Sequence, residues 1–202
     1  NGIMEVMQSM IGYDNICTLL YDEPELIKEV TDNIGKRLLT YYEVGMQCDN
    51  VGLLCYNDDW GFNTSTFLSP AHYRQYIFPW VKKIVALAHK YNKPAVLHSC
   101  GYFRDIFDDI VDMGFDGRHS YEDNIMPVEE AYEVYGDRIA ILGGMDMDFV
   151  CRETPENIYR RSMQMLERSA ARGGYALGTG NSVADYLPFD HYMAILQAAR
   201  DF

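Results

Sequence analysis

The stretch "KPAVLHSCGYFRDIF", from Lys93 to Phe107, joins a short apolar run to the beginning of a helical pattern. The run from Ala95 to Ser99 is mainly apolar and does not alternate with polar residues, which is typical of a strand buried on both faces. The helical pattern that follows ends at Gly114, a residue type that commonly stops a helix. This stretch therefore predicts one β/α unit, the building block of parallel α/β proteins.

The same alternation of short apolar runs and helical patterns occurs along most of the chain. The other strand candidates are Val51–Tyr56, Phe115–Ser120, Arg138–Gly144 and Tyr175–Gly180. Five strands separated by helices predict an α/β fold with a parallel sheet, either doubly wound or part of a (β/α) barrel. No G-x-G-x-x-G motif follows the first strand, which disfavours nucleotide binding. Because a complete (β/α)8 TIM barrel needs about 250 residues, five β/α units would form its C-terminal portion.

Proline, serine and threonine residues mark the beginnings of the helix candidates. Pro24 lies in the first turn of a long candidate. Ser69 and Thr154 are candidate N-caps, because their side-chain oxygens can accept hydrogen bonds from the first backbone N–H groups. Pro79 falls inside the helix candidate that begins after Ser69, and we expect it to kink or bend that helix. A last helix candidate, from Phe189 to Phe202, closes the chain.

The charge of the chain limits the classes of partner. It has 17 basic and 30 acidic residues, which gives a formal net charge of −13. A surface this acidic is repelled by phosphate backbones and by anionic lipids, so nucleic acid and membranes are disfavoured as partners. The sequence also lacks a run of about 18 apolar residues, so no membrane span is expected.

Cysteine usage and the first residue suggest where the protein works and how it is organised. The five cysteines are an odd number and form no C-x-x-C pair, a usage typical of a reducing compartment. We therefore expect a cytoplasmic protein. The chain begins with Asn1 rather than Met, and we expect residues 1–202 to be one domain whose N-terminal strands lie upstream in a longer chain.

His98 and Cys100 are the most informative pair, because they follow a predicted strand at its carboxyl end. Active sites of parallel α/β proteins form at these ends. Residues two apart in a strand point to the same face, and Gly101 lets the backbone turn directly afterwards. Imidazole and thiolate groups suit Zn²⁺. The residues alone leave two other readings open, a buried hydrogen-bonded pair and a Cys–His nucleophilic dyad.

Asp58 and Asp59 follow the first strand candidate and are adjacent in sequence. In an extended chain they face opposite ways, so only one of them is expected to enter a site. That aspartate is a candidate metal ligand, a candidate general acid or base, or a helix cap.

Other polar residues near the predicted strand ends have structural as well as functional readings. His119 ends the third strand candidate and is either a ligand or a structural histidine. Asp146 and Asp148 follow the fourth, and Asp148 is a candidate cap of a short helical turn. The arginines that could hold a substrate carboxylate are Arg104, Arg118 and Arg152.

The order of these features resembles the uroporphyrinogen decarboxylase superfamily over nearly the whole chain, from about Met4 to Phe202. The stretches that carry the resemblance are "YNDDWGFNTSTFLSPAHYRQYIFPWVKKIV", "VLHSCGYFRDIFDDIVDMGFDG", "AYEVYGDRIAILGGMDMDFV" and "GGYALGTGNSVADYLPFDHYMAIL". The resemblance implies a (β/α)8 barrel of which this chain supplies the later strands. The superfamily contains both porphyrinogen decarboxylases and methylcobamide:thiol methyltransferases.

Particular residues favour the methyltransferase branch. "HSCG" resembles the zinc-binding H-x-C-G of that branch, whereas the G-H-G of the decarboxylases reads Gly178-Thr179-Gly180 here. A serine of the decarboxylases falls at Asp58. The match to the methyltransferases departs at one position, since their third zinc ligand, a cysteine, falls at Asn181.

The resemblance implies an enzyme that moves a methyl group between a corrinoid and a zinc-activated thiol or similar acceptor. The implied zinc ligands are His98 and Cys100, the implied catalytic residues are Asp58, Asp59 and Asp146, and the implied cofactor-binding residues are Trp60, Thr179 and Asn181. The implied partner is a corrinoid carrier protein or a small-molecule substrate, and the oligomeric state stays open. The alternatives are a decarboxylase acting on a tetrapyrrole and a non-catalytic protein that binds a corrinoid or a porphyrin.

Overall fold

The computed structural model describes residues 1–202 and contains a five-stranded sheet whose strand order follows the chain. The strands are β1 (Leu54–Asn57), β2 (Ala95–His98), β3 (Gly117–His119), β4 (Ala140–Leu142) and β5 (Tyr175–Ala176). The pairs β1–β2, β3–β4 and β4–β5 are parallel. All five strands lie within or overlap the predicted runs, and the predicted α/β fold is confirmed.

Helices precede, separate and follow the strands. They are α1 (Ile3–Ile11), α2 (Tyr13–Asp22), α3 (Pro24–Met46), α4 (Pro70–His72), α5 (Phe78–Lys90), α6 (Phe107–Asp112), α7 (Val128–Tyr135), α8 (Met147–Arg152), α9 (Pro155–Ser169) and α10 (Phe189–Asp201). A π-helical turn, Tyr73–Ile77, joins α4 to α5, and a 3₁₀ turn, Arg104–Ile106, precedes α6. None of these helices has the length and apolarity needed to cross a membrane.

The chain divides into two compact units, residues 1–116 and 117–202. In the first unit α3 packs against α5, and Ile27, Val81 and Ile84 are completely buried. In the second unit α9 packs against α10, and Ile158, Met165 and Ala198 are likewise buried. The prediction of one domain over the whole chain stays a prediction.

The helix boundaries follow the predicted capping residues. The Oγ of Ser69 accepts a hydrogen bond from the N–H of His72 at 3.2 Å, and the Oγ1 of Thr154 accepts one from the N–H of Asn157 at 3.3 Å. Pro79 is the second residue of α5, in the first turn, where proline is well tolerated. The π-helical turn Tyr73–Ile77 lies directly before α5. The single helix expected after Ser69 is therefore α4, this turn and α5 in succession.

Two features differ from the sequence-based expectations. No helix was predicted for Ile3–Ile11 or Tyr13–Asp22, where the structure has α1 and α2. The cap of α8 is Asp146 rather than Asp148, because Oδ1 of Asp146 accepts hydrogen bonds from the N–H groups of Asp148, at 2.8 Å, and Phe149, at 3.0 Å. Asp148 itself lies in the first turn of the helix.

Candidate metal centre

The carboxyl ends of β1 and β2 lie side by side in the first unit. Asn57, the last residue of β1, is in register with His98, the last residue of β2. The N–H of Asp58 donates a hydrogen bond to the carbonyl oxygen of His98 at 3.0 Å, so the ladder continues by one residue. The loops that follow the two strands therefore start at the same edge of the sheet.

Asp59, His98 and Cys100 converge at this edge. Their candidate ligand atoms, one carboxylate oxygen, one imidazole nitrogen and one sulfur, all lie within 4.8 Å of one another, and each residue is half-buried. The Sγ of Cys100 is 3.8 Å from the Nε2 of His98. An arrangement of three protein ligands with N, S and O donors fits Zn²⁺, and catalytic zinc sites use three such ligands and leave one position for water or substrate.

Two glycines bring the loops after β1 and β2 into contact. Gly101 has a positive φ of 84°, and a Cβ at this residue would overlap the backbone carbonyl of Gly61. A Cβ at Gly61 would in turn lie 2.6 Å from the carbonyl oxygen of Tyr102. The N–H of Cys100 donates to Oδ1 of Asp59 at 2.8 Å across the same junction. Sequence reading identified the turn at Gly101 but missed the partner role of Gly61, which no local pattern signals.

Asp58 points away from this cluster and into the core. Its carboxylate, which is completely buried, accepts hydrogen bonds from the N–H of Met4 at 3.1 Å, the N–H of Glu5 at 2.9 Å, the Nε1–H of Trp60 at 2.9 Å and the hydroxyl of Tyr56 at 3.2 Å. The carboxylate therefore caps the N-terminus of α1. The two adjacent aspartates do face different surroundings.

The burial of Asp58 has an electrostatic consequence. Burial raises the pKa of Asp58 to about 7, against the opposing effect of the hydrogen bonds from Glu5, Trp60 and Met4. Trp60 is also buried, with 1% of its surface exposed, and its ring packs against those of Tyr73 and Phe78. These contacts are those of core residues. The catalytic role of Asp58 and the cofactor contact of Trp60 stay predictions.

The second unit contains the remaining predicted site residues. Asp146, Asn181 and Tyr186 line a cavity of about 250 Å³ beyond the ends of β4 and β5. The hydroxyl of Thr179 donates to the carbonyl oxygen of Asn181 at 2.7 Å, and Oδ1 of Asn181 accepts from the N–H of Ser182 at 2.7 Å. Both oxygens of Asp146 accept backbone hydrogen bonds, Oδ1 from the start of α8 and Oδ2 from Asp123 at 2.9 Å. The functional roles of these residues stay predictions.

His119, Arg118 and Arg152 contact neighbouring groups of the second unit. The Nε2 of His119 lies 2.9 Å from the carbonyl oxygen of Thr179, so this ring nitrogen is engaged within the second unit. Arg118 is completely buried and lies over the ring of Tyr121. Arg152 forms an ion pair with Asp148 at 2.6 Å.

A sequence model described as "Uroporphyrinogen decarboxylase (URO-D)" matches residues 1–202. The chain belongs to the uroporphyrinogen decarboxylase family. The resemblance stated from the sequence is thereby confirmed, and the five β/α units are part of the (β/α)8 TIM barrel of that family.

Individual relatives in the family are distant. The chain is 22% identical over 187 residues to a uroporphyrinogen decarboxylase of Methylococcus capsulatus, covering 91% of this chain and 51% of the relative. It is 24% identical over 192 residues to one of Alkalilimnicola ehrlichii, covering 93% and 50%. The chain thus spans about half the length of these curated relatives. A solved structure of a methyltransferase from Methanosarcina mazei matches with a TM-score of 0.79 and 21% identity, covering 100% of this chain and 57% of that one, which supports the fold.

Proposed function

We propose that this protein is a zinc-dependent methyltransferase of the uroporphyrinogen decarboxylase family, which moves a methyl group between a corrinoid and a thiol or similar acceptor. The observation that carries the proposal is the convergence of His98, Cys100 and Asp59 at the carboxyl ends of two neighbouring strands. The name of the Methanosarcina mazei structural neighbour, a methyltransferase, is consistent with it.

The residues in and around the cluster would have different roles in the reaction. His98 and Cys100 would hold the zinc, whose Lewis acidity lowers the pKa of an acceptor thiol. The contact between Gly61 and Gly101 brings Cys100 and Asp59 together, and this would fix the direction from which the acceptor approaches. Half-burial of the three side chains would limit the access of water to the acceptor sulfur. A corrinoid carrier protein or a small-molecule corrinoid is the proposed donor partner.

Metal analysis and methyl transfer test the proposal. The full-length protein, purified without chelators, should contain zinc and should transfer the methyl group of methylcobalamin to a small thiol, followed by the absorbance change of the corrinoid. Cys100→Ser and His98→Ala should lose both properties, whereas Cys48→Ser, at an exposed cysteine outside the cluster, should keep them. Zinc-free protein together with undiminished transfer by Cys100→Ser would rule out the proposed mechanism.

Uroporphyrinogen decarboxylation is the second candidate, because the curated relatives are named for it. Its test is turnover of uroporphyrinogen by the same full-length protein, measured as loss of substrate carboxyl groups. Tight corrinoid binding without transfer to any thiol would instead favour the third reading, a binding protein. The three assays use one preparation, so their results can be compared directly.

A further inference from the structure

We infer that Asp59 is the third protein ligand of the metal held by His98 and Cys100, rather than a general acid or base. The site then has one nitrogen, one sulfur and one oxygen donor, so it contains only one thiolate ligand. The inference rests on the proposed zinc at His98 and Cys100, and it adds the identity of the ligand that completes the protein's part of the site.

The position of the Asp59 carboxylate supports a ligand role. One of its oxygens, Oδ1, accepts a hydrogen bond from the N–H of Cys100 at 2.8 Å. A carboxylate has a second oxygen, so this bond orients the group and still leaves it able to bind a cation. Hydrogen bonds of this kind, from the protein to a ligating carboxylate, hold metal ligands in the orientation that the metal requires.

The charge around Asp59 points the same way. Asp59 takes part in none of the ion pairs between side chains of this chain. It is nevertheless half-buried, beside an imidazole and a thiol. A carboxylate that is partly withdrawn from water is stabilised in its charged form when a cation or a metal lies beside it. A divalent metal held between the three side chains would supply that positive charge.

The adjacent aspartate cannot take this role without unfolding part of the chain. All four hydrogen bonds to the Asp58 carboxylate come from α1, Tyr56 and Trp60, and the group is completely buried. Rotating it toward His98 would leave the first N–H groups of α1 without acceptors. Of the two carboxylates, only Asp59 is therefore placed to bind the metal.

A single thiolate predicts how the site selects metals. Thiolates favour soft ions, and carboxylates favour harder ones. Asp59→Cys would give the site two thiolates and should therefore shift its preference from Zn²⁺ toward the softer Cd²⁺. Asp59→Asn keeps the size of the side chain but removes its negative charge, so the amide oxygen should bind zinc more weakly.

Metal competition measures these effects without reference to activity. Full-length protein, stripped of metal, is titrated with Zn²⁺ and with Cd²⁺ against a chromophoric chelator, for wild type, Asp59→Asn, Asp59→Cys and the control Asp49→Asn at an exposed turn. We expect Asp59→Asn to bind Zn²⁺ at least about ten-fold more weakly. Asp59→Cys should raise the Cd²⁺-to-Zn²⁺ affinity ratio by a similar factor, and Asp49→Asn should match wild type. Circular dichroism of each metal-free variant checks that it is folded.

The outcomes separate this inference from the proposed function. If both Asp59 variants bind Zn²⁺ and Cd²⁺ as wild type does, while His98→Ala and Cys100→Ser lose zinc, Asp59 is not a ligand and the proposed function survives. If His98→Ala and Cys100→Ser also bind zinc normally, or if wild type binds none, the ligand role of Asp59 and the proposed function are both overturned. The visible spectrum of the Co²⁺-substituted protein gives a second readout, because Asp59→Cys should strengthen its sulfur-to-cobalt absorption.

Discussion

Replacing Gly101 with alanine tests whether the contact between the two loops builds the metal centre. Gly101 directly follows Cys100, adopts a positive φ of 84° and lies against the backbone carbonyl of Gly61, two residues after Asp59. An added Cβ would therefore act on both loops at once. It would also strain the backbone, since L-residues with a side chain rarely adopt this φ.

The expected effect has two parts. The left-handed backbone conformation costs a residue other than glycine about 1 kcal/mol. The overlap with the Gly61 carbonyl adds to this, because carbon atoms in contact need about 3.5 Å and the loops must separate by roughly 1 Å or more. Metal–ligand distances tolerate changes of only about 0.2 Å. We therefore expect a total loss of about 3 kcal/mol in the free energy of unfolding and at least about a ten-fold loss of zinc affinity.

Gly173 provides a matched control, because it has a similar positive φ of 73° but nothing lies within 4 Å of a Cβ placed there. Gly173→Ala should lose only the conformational part, about 1 kcal/mol, and should keep wild-type zinc affinity. Urea unfolding of the metal-free proteins measures stability, and competition with a chromophoric chelator measures zinc binding. Equal effects of the two substitutions on both quantities would refute the argument that the Gly61–Gly101 contact positions the ligands.

Two further predictions concern carboxylates outside the proposed set of metal ligands. Asp58→Ala removes the acceptor of four buried donors. It should lower the free energy of unfolding, measured in urea, by about 3–5 kcal/mol. A loss below about 0.5 kcal/mol would show that α1 does not depend on this cap. Arg161, which donates to both Glu129 and Asp123, holds the pKa of Glu129 below its usual value although burial acts in the opposite direction. A lowered pKa stabilises the fold above the ordinary value of 4.5 and this contribution is lost as the pH falls. Because the ion pair is partly exposed, Arg161→Gln should lower the free energy of unfolding by about 1–2 kcal/mol at pH 7. The difference from wild type should shrink steadily below pH 4.5, and a difference independent of pH would contradict the ion pair.

The strands and most helix starts could be predicted because their signals are local. Apolar runs gave the five strands, and Ser69 and Thr154 cap their helices through neighbouring N–H groups. Helix α1 was missed because its capping acceptor, Asp58, lies more than fifty residues along the chain. Its own cap position is Gly2, which has no side chain to reveal it.

The candidate site was predictable in part for the same reason. Alternation along a strand placed His98 and Cys100 on one face and separated Asp58 from Asp59. It could not say which aspartate turns toward the cluster, since that choice depends on the packing of α1. The contact between Gly61 and Gly101 joins loops forty residues apart, and neither glycine alone indicates a partner.

Because Asp58 and Asp59 have opposite orientations, the length of the loop after β1 is as important as its composition. The two carboxylates differ only by one step along the backbone, and their surroundings are set by which side of the strand end each one occupies. A one-residue insertion or deletion between Tyr56 and Asp58 would exchange their directions, placing the α1 cap in the loop cluster and the cluster's carboxylate in the core. Libraries built on this protein should therefore vary residue identity here and keep the spacing from β1 to Gly61 constant.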